Sequence, residues 1–176
     1  MSDERVERVR KLIRTVPDFP KPGIMFKDIT PLLADPAGFT TCLDLIAERF
    51  AEDHPDTIVG IESRGFIFGA ALAARMTASF VPVRKPGKLP WHTDSVAYEL
   101  EYGSDEVHMH TDAIRPGAKV LLVDDLIATG GTAWATVELI KKQKGDLVGA
   151  AFVVELSFLK GKERLLPLEP YSILTY

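Results

Sequence analysis

Val120 to Val123 form an apolar run with no polar interruption, the pattern of a strand buried on both faces in a parallel sheet covered by helices. Thr57–Ile61, Ser79–Arg84 and Leu147–Leu156 read as further strands, and Tyr171–Tyr176 adds a terminal one. The stretches between them carry helical spacing. Val6, Val9, Leu12, Ile13 and Val16 recur among charges, predicting an amphipathic helix near residues 3 to 15 that Pro17 ends. Asp35-Pro36 reads as an N-cap and first helical position, opening a helix with Phe39, Leu43, Ile46, Ala47 and Phe50 on its apolar side. A small-residue helix follows from Phe66 to Met76, and Ala133 opens another that closes near Lys144-Gly145. Alternating strands and helices predict an α/β domain with a mainly parallel sheet flanked by helices, its site at the carboxyl ends of the strands.

Two stretches break this rhythm. Pro17, Pro20 and Pro22 with Gly23 predict an irregular loop running to Thr30, which by itself reads as a packed crossover with Phe19 and Phe26 plugging the core. Lys85 to Ser95 is a long polar stretch, and together with Arg84 it holds the chain's one notable positive cluster, Arg84, Lys85 and Lys88. Loops of that length inside a domain are lids or disordered segments, and a basic lid would neutralise a polyanion and exclude water. We expect one domain, residues 1 to 176, with a small hood built from residues near 17 to 30 and 85 to 103.

Composition narrows the classes. With 46% hydrophobic residues, 26% charged residues and a net charge of -4, the chain suits a globular domain and lacks a basic footprint for nucleic acid. The single cysteine, Cys42, sits among Leu43, Leu45 and Ile46 as a packed thiol and excludes an intramolecular disulfide framework. The charged N-terminus and the lack of a membrane-length apolar run predict a cytoplasmic protein with no membrane partner. His54, His92, His108 and His110 show no metal-ligand spacing on one helix, and no carboxylate partner is evident for His108 and His110, so all four read as structural.

The chemistry concentrates after the central run, in Asp124-Asp125-Leu126-Ile127-Ala128-Thr129-Gly130-Gly131-Thr132. Gly130 and Gly131 allow close approach to the backbone, and the helix start beyond them offers unpaired N–H groups to an anion. A phosphate monoester fits such a nest, with Thr129 and Thr132 as hydroxyl donors. Asp124 and Asp125, at the strand's carboxyl end, suit a vicinal diol such as ribose. The stretch lacks the lysine of a Walker A loop and the glycine spacing of a dinucleotide fingerprint, which disfavours ATPase and NAD readings. Thr57–Ile61 leads into a similar turn, Glu62-Ser63-Arg64-Gly65, where backbone N–H groups and the Arg64 guanidinium form a second anion site suited to pyrophosphate.

The apolar strand, the acidic pair and Ala128-Thr129-Gly130-Gly131-Thr132 resemble the phosphoribosyl pyrophosphate (PRPP) motif of type I phosphoribosyltransferases. That resemblance implies 5′-phosphate binding by residues 128 to 132, ribose binding by Asp124 and Asp125, and pyrophosphate binding by Glu62, Ser63, Arg64 and Gly65 together with Arg84 and Lys88. In the family the turn matching residues 62 to 65 often contains a non-proline cis peptide. Phe19-Pro20-Lys21-Pro22-Gly23-Ile24-Met25-Phe26-Lys27-Asp28-Ile29 is similar to the purine-binding loop of adenine phosphoribosyltransferases. This implies that Phe26 stacks on adenine, that backbone groups of Met25 and Lys27 read its edge, and that Leu126 covers its other face. Tyr98-Glu99-Leu100-Glu101-Tyr102-Gly103 resembles a second segment of that family, with Ala97 in place of its serine, and assigns Glu101 to the purine's imidazole side. Read by alternation alone, Glu101 is an outward residue of a half-exposed strand. Leu156, Leu159, Lys160 and Gly161 match the family's closing segment, so the resemblance runs from about Val16 to the C-terminus.

The implied reaction is adenine plus PRPP giving AMP plus pyrophosphate, a purine-salvage step catalysed by Glu101 and Arg64. Mg²⁺ would be held mainly by PRPP, near Asp124, and the protein would be a homodimer in which Arg84 could act across the interface. Two rivals share the pocket: transfer to hypoxanthine, guanine or orotate, and a non-catalytic regulator that senses PRPP or nucleotides. Orotate would want a cation in the base pocket, and a regulator would want a basic face.

Overall fold

The computed structural model describes residues 4–99 and 103–176, and the chain forms two compact units, residues 1–46 and 47–176. In the first, helix α1 (Glu4–Lys11) is shorter than its apolar spacing predicts. Arg14–Pro17 is instead strand β1, paired antiparallel with β2 (Met25–Asp28) so that Val16 lies opposite Phe26. Two β-branched residues, Thr15 and Val16, suit the pleated strand, and cross-strand bonds secure it. Arg14 Nε donates to Asp28 Oδ2 at 2.9 Å, and Lys27 Nζ to Thr15 Oγ1 at 3.0 Å. The expected irregular loop therefore shrinks to the tip of a hairpin, where Gly23 N–H donates to Asp18 Oδ1 at 2.7 Å. Phe19 is no core plug: it is 52% exposed, and its ring meets that of Phe26 edge-on at 5.0 Å.

Asp28 Oδ1 accepts the N–H of Thr30 at 2.8 Å, where short helix α2 (Thr30–Ala34) begins. Asp35 Oδ1 accepts the N–H of Gly38 at 2.6 Å, capping α3 (Pro36–Arg49) as the sequence predicts. A β-carbon on Gly38 would lie 2.3 Å from Leu12 Cδ1, so the glycine lets the end of α1 and the start of α3 approach. Val9, Ile13, Ile29, Leu32, Leu45 and Ile46 are buried in this unit with Cys42, whose thiol burial pushes up to about 12.

The second unit is built on a parallel sheet in the order β4 (Ser79–Val83), β3 (Thr57–Ile61), β7 (Lys119–Ile127), β8 (Asp146–Glu155) and β9 (Tyr171–Thr175). Helices α4 (Arg64–Met76) and α5 (Gly131–Lys142) flank it. This is the predicted α/β architecture. Val120 to Val123 are fully buried, as are Val59, Ala150 and Phe152 of the neighbouring strands. Gly149 sits where β8 slips by one residue against β7, and a β-carbon there would lie 2.2 Å from the Phe50 ring.

The lid stretch is partly ordered by pairing. Its polar run enters strand β5 at Thr93 (Thr93–Glu99), which pairs antiparallel with β6 (Ser104–His110). Arg84, just past β4, exchanges backbone hydrogen bonds with His108 at 2.8 and 2.9 Å. His108 does have a carboxylate neighbour, Glu106 Oε2, 3.4 Å from its Nε2, because residues two apart on a strand share a face.

Native protein should give no reaction with a thiol reagent near pH 8 and one thiol per chain in denaturant; rapid native labelling would contradict the burial of Cys42. Gly149→Ala should lower stability by about 1–3 kcal/mol through overpacking against Phe50, read as a lower urea midpoint at unchanged slope.

Candidate functional site

β3 and β7 run side by side only as far as Gly60 and Val123, whereas β7 continues to Ile127 against β8 alone. Asp124 and Asp125 thus lie within a strand whose other edge is open, rather than after its end as the apolar run suggests. The turn that follows β3 approaches this edge. Gly65 makes the approach feasible, because a β-carbon there would meet Asp124 Oδ1 at 2.6 Å and the carbonyl oxygen of Val123 at 3.1 Å. The Glu62–Ser63 peptide bond in the same turn is cis, the feature associated with this turn by the resemblance.

Arg64 Nε lies 3.0 Å from Asp125 Oδ2, an ion pair whose carboxylate is almost wholly buried. Asp124 Oδ1 accepts the N–H of Asp125 at 2.8 Å. Burial raises the pKa of both carboxyls. For Asp124 the neighbouring charge of Asp125 adds to that rise, whereas Arg64 pulls Asp125 back. With one guanidinium beside two carboxyls, Asp125 keeps the charge and Asp124 takes the proton more readily.

Beyond β7, Gly130 adopts φ 79° and caps α5, with its carbonyl accepting the N–H of Trp134 at 2.8 Å. The first N–H groups of a helix have no partner within it and point outward. They face a cleft of about 110 Å³ lined by Asp124 and by Leu126 through Ala133. At about 30 Å³ per water molecule, such a space takes a group of a few heavy atoms, the size of a phosphate. A β-carbon on Gly130 would fall 2.3 Å from the carbonyl oxygen of Gly161, and one on Gly161 would fall 2.2 Å from that of Ala128. Backbone therefore lies directly on backbone, and the turn at Gly161–Leu165 braces the loop. An ion pair between Lys162 Nζ and Glu155 Oε2 at 2.5 Å ties that turn to β8.

The structure gathers Asp124, Asp125, Leu126 and residues 128 to 132 in one place, with the turn of Ser63, Arg64 and Gly65 at its edge. Glu62, from the same turn, faces the lid: its two carboxylate oxygens each lie 3.3 Å from Arg84 nitrogens, and Oε2 accepts the N–H of Lys85 at 3.0 Å. That amide bond, followed by Arg84, holds the Glu62 carboxyl below its usual range despite the opposing effect of burial. Arg84 also donates to the carbonyl of Lys88 at 3.0 Å. The positive cluster is thus partly neutralised by Glu62. Met25, Phe26 and Lys27 lie on β2 in the first unit, with Met25 exposed and Phe26 half-buried. Glu101 falls outside the described residues.

Three contributors escaped sequence reasoning. Tyr98 and Asp105, opposite one another on β5 and β6, bond to Lys85, and Tyr98 also bonds to Thr132. The third is Gly161, which appears in the sequence only as part of a closing segment, although the Lys160-Gly161 pair was its one visible signal. A larger cavity of about 470 Å³ opens beside Tyr98, Trp134 and Arg164, but the helix-start loop and Asp124 line the smaller cleft. Charge and donor geometry, not volume, locate the candidate site.

The comparisons agree with this geometry. The family model described as phosphoribosyl transferase domain matches residues 28–174. The adenine phosphoribosyltransferase of Sorangium cellulosum is 63% identical over 164 residues, covering 93% of this chain and 82% of that protein. That of Acidobacterium capsulatum is 56% identical, covering 97% of this chain and 94% of the relative. Among solved structures, the adenine phosphoribosyltransferase of Rhodothermus marinus superposes with a TM-score of 0.94 at 49% identity, covering 98% of this chain and 99% of its own. The Saccharomyces cerevisiae enzyme, solved with adenine and an imino-altritol bisphosphate, gives 0.92 at 40% identity, covering 97% and 99%. With its fold and these relatives in agreement, the chain belongs to the phosphoribosyltransferases, and within them to the adenine phosphoribosyltransferase family.

Proposed function

We propose that this protein transfers the phosphoribosyl group of PRPP to adenine, releasing AMP and pyrophosphate. The observation that carries the reading is the convergence, at the end of β7, of a cleft lined by the helix-start loop and Asp124 with the Arg64 turn, which packs against Asp124 through Gly65 and pairs with Asp125. The nest at residues 128 to 132 takes the 5′-phosphate, and Asp124 and Asp125 take the ribose hydroxyls. Ser63, Arg64 and Gly65, with Arg84 and Lys88 and with Glu62 orienting Arg84, serve the pyrophosphate. The base is assigned by resemblance to Phe26, to backbone groups of Met25 and Lys27, and to Leu126.

In the reaction a purine ring nitrogen attacks the anomeric carbon, the bond to pyrophosphate breaks, and pyrophosphate leaves with the electron pair. Glu101 receives the purine's N–H proton. Positioning and stabilisation of the growing negative charge on pyrophosphate supply most of the acceleration, and Arg64 and Lys88 bring fixed positive charge to that end. Among the described residues no group of three or more His, Cys, Asp or Glu side chains gathers as a metal site. Magnesium needs only one or two carboxylates when substrate phosphates complete its shell, and Asp124 beside the nest fits that demand. When bound it neutralises charge on the pyrophosphate. A homodimer, supported by the family resemblance, and a cytoplasmic location, expected from the charge and hydropathy of the sequence, complete the reading. Among the described residues no helix is long and apolar enough to cross a membrane.

Pyrophosphate release from PRPP and Mg²⁺ should occur with adenine and not with hypoxanthine, guanine or orotate. Release with another base would retain the PRPP site and void the base assignment, and binding of PRPP without release from any base would favour a regulator. Glu101→Ala should lower kcat with adenine by about 10²–10⁴-fold, as loss of a positioned acid–base group does; unchanged turnover would remove Glu101 from the mechanism. Because the Asp124 carboxyl is raised, its acceptor form is lost as pH falls through a value above the ordinary aspartate range. AMP affinity should therefore weaken on the acid side at a higher pH than free carboxylates titrate, and Asp124→Asn should remove that limb from a plot of Kd against pH.

A further inference from the structure

The Tyr98 hydroxyl is nearly inaccessible to solvent, the residue being 4% exposed, and it makes every hydrogen bond a phenol can make. It accepts from Thr132 Oγ1 at 2.9 Å and from Lys85 Nζ at 2.9 Å, and it donates to Asp105 Oδ2 at 3.0 Å. Lys85 also pairs with Asp105 directly. The ring lies against the phosphate loop, where a β-carbon on Gly131 would meet Tyr98 Cδ2 at 2.9 Å. From Lys85 the chain of bonds continues through its backbone N–H to Glu62, and from Glu62 to Arg84. Two sets of hydrogen bonds, joined by the four-carbon side chain of Lys85, thus link Thr132, at the proposed 5′-phosphate nest, to Arg84, at the proposed pyrophosphate end.

Thr132 has a single hydroxyl hydrogen, and in this arrangement it points at Tyr98. A phosphate oxygen in the nest can receive that hydrogen only if Tyr98 gives it up. The phenol then loses one donor while retaining Lys85 and Asp105, so its bonds to both readjust. Burial works against charge on Lys85, but its hydrogen bonds to Asp105 and Tyr98 outweigh that effect and keep the ammonium charged. A filled nest would therefore shift the network to a second arrangement, one that differs from this arrangement at Lys85.

We propose that Tyr98 is a positioning residue whose hydroxyl couples occupancy of the 5′-phosphate nest to the setting of Lys85, and through Glu62 of Arg84, at the pyrophosphate end. This rests on the PRPP reading above and adds to it a residue outside the substrate's own contacts. Coupling between two such sites is typically 5–150-fold in affinity and is reciprocal.

The test measures pyrophosphate affinity, with Mg²⁺ present, in the absence and presence of saturating ribose 5-phosphate. Wild type should show a change of about 5-fold or more, and Tyr98→Phe, which keeps the ring against Gly131, should bring the ratio close to one. Lys85→Met provides a second route to the same loss should the phenylalanine variant prove unstable; thermal unfolding of each variant reports that directly. A ratio in Tyr98→Phe and Lys85→Met equal to the wild-type ratio would overturn the proposal, as would a wild-type ratio of one. Wild type that binds neither ligand would overturn the PRPP reading itself, and that outcome is distinct from binding without coupling.

Discussion

Burial of β7 on both faces and along most of both edges is the constraint on which the rest of the second unit depends. A strand with Val120 to Val123 fully buried needs apolar cover above and below and hydrogen-bonding neighbours on either side. Parallel neighbours cannot be joined by tight hairpins, so each connection must cross over the sheet. The crossings place the β3–α4 turn and the β7–α5 loop at the same end of the sheet. The candidate site follows from this layout, because the starts of α4 and α5 come together where β3 stops and β7 continues.

What makes that end usable is the absence of atoms. Gly65 brings a turn onto the acidic pair, Gly130 and Gly161 bring backbone onto backbone, and Gly131 accepts the edge of the Tyr98 ring. Each approach is closer than a β-carbon would permit. The space left is small and polar, and the charges in it are unequal: one guanidinium beside a buried and a half-buried carboxyl leaves Asp125 paired and Asp124 easily protonated. The same economy governs the lid, where Arg84 and Lys85 are held by Glu62 and Asp105 rather than left as a free positive patch.

Differences between expectation and structure share a cause. Val16 fits a helical stripe with Val9 and Ile13, yet its partner is Phe26 across a hairpin, a contact ten residues away in sequence that no local period reports. Asp124 and Asp125 look like a strand's end because charge interrupts the apolar run, but β8 continues to pair with the backbone, and pairing does not depend on side-chain polarity. His108 lacks an evident partner until strand alternation sets Glu106 beside it. Tyr98 was invisible as a functional candidate because its three partners, Lys85, Asp105 and Thr132, come from separate elements.

Local chemistry and period were sufficient for the five strands of the parallel sheet, the capping of α3 by Asp35, the buried thiol of Cys42, and the glycine loop that follows the acidic pair into α5. All of these depend on residues adjacent in sequence, where sterics, hydrogen-bonding capacity and hydrophobic period act over a few positions. Tertiary structure alone decided the β1–β2 hairpin, the ion pair of Arg64 with Asp125, the neutralisation of Arg84 by Glu62, the brace at Gly161 and the hydrogen bonds of Tyr98. Those depend on the distance between groups far apart along the chain, and that distance exists only once the crossovers have packed.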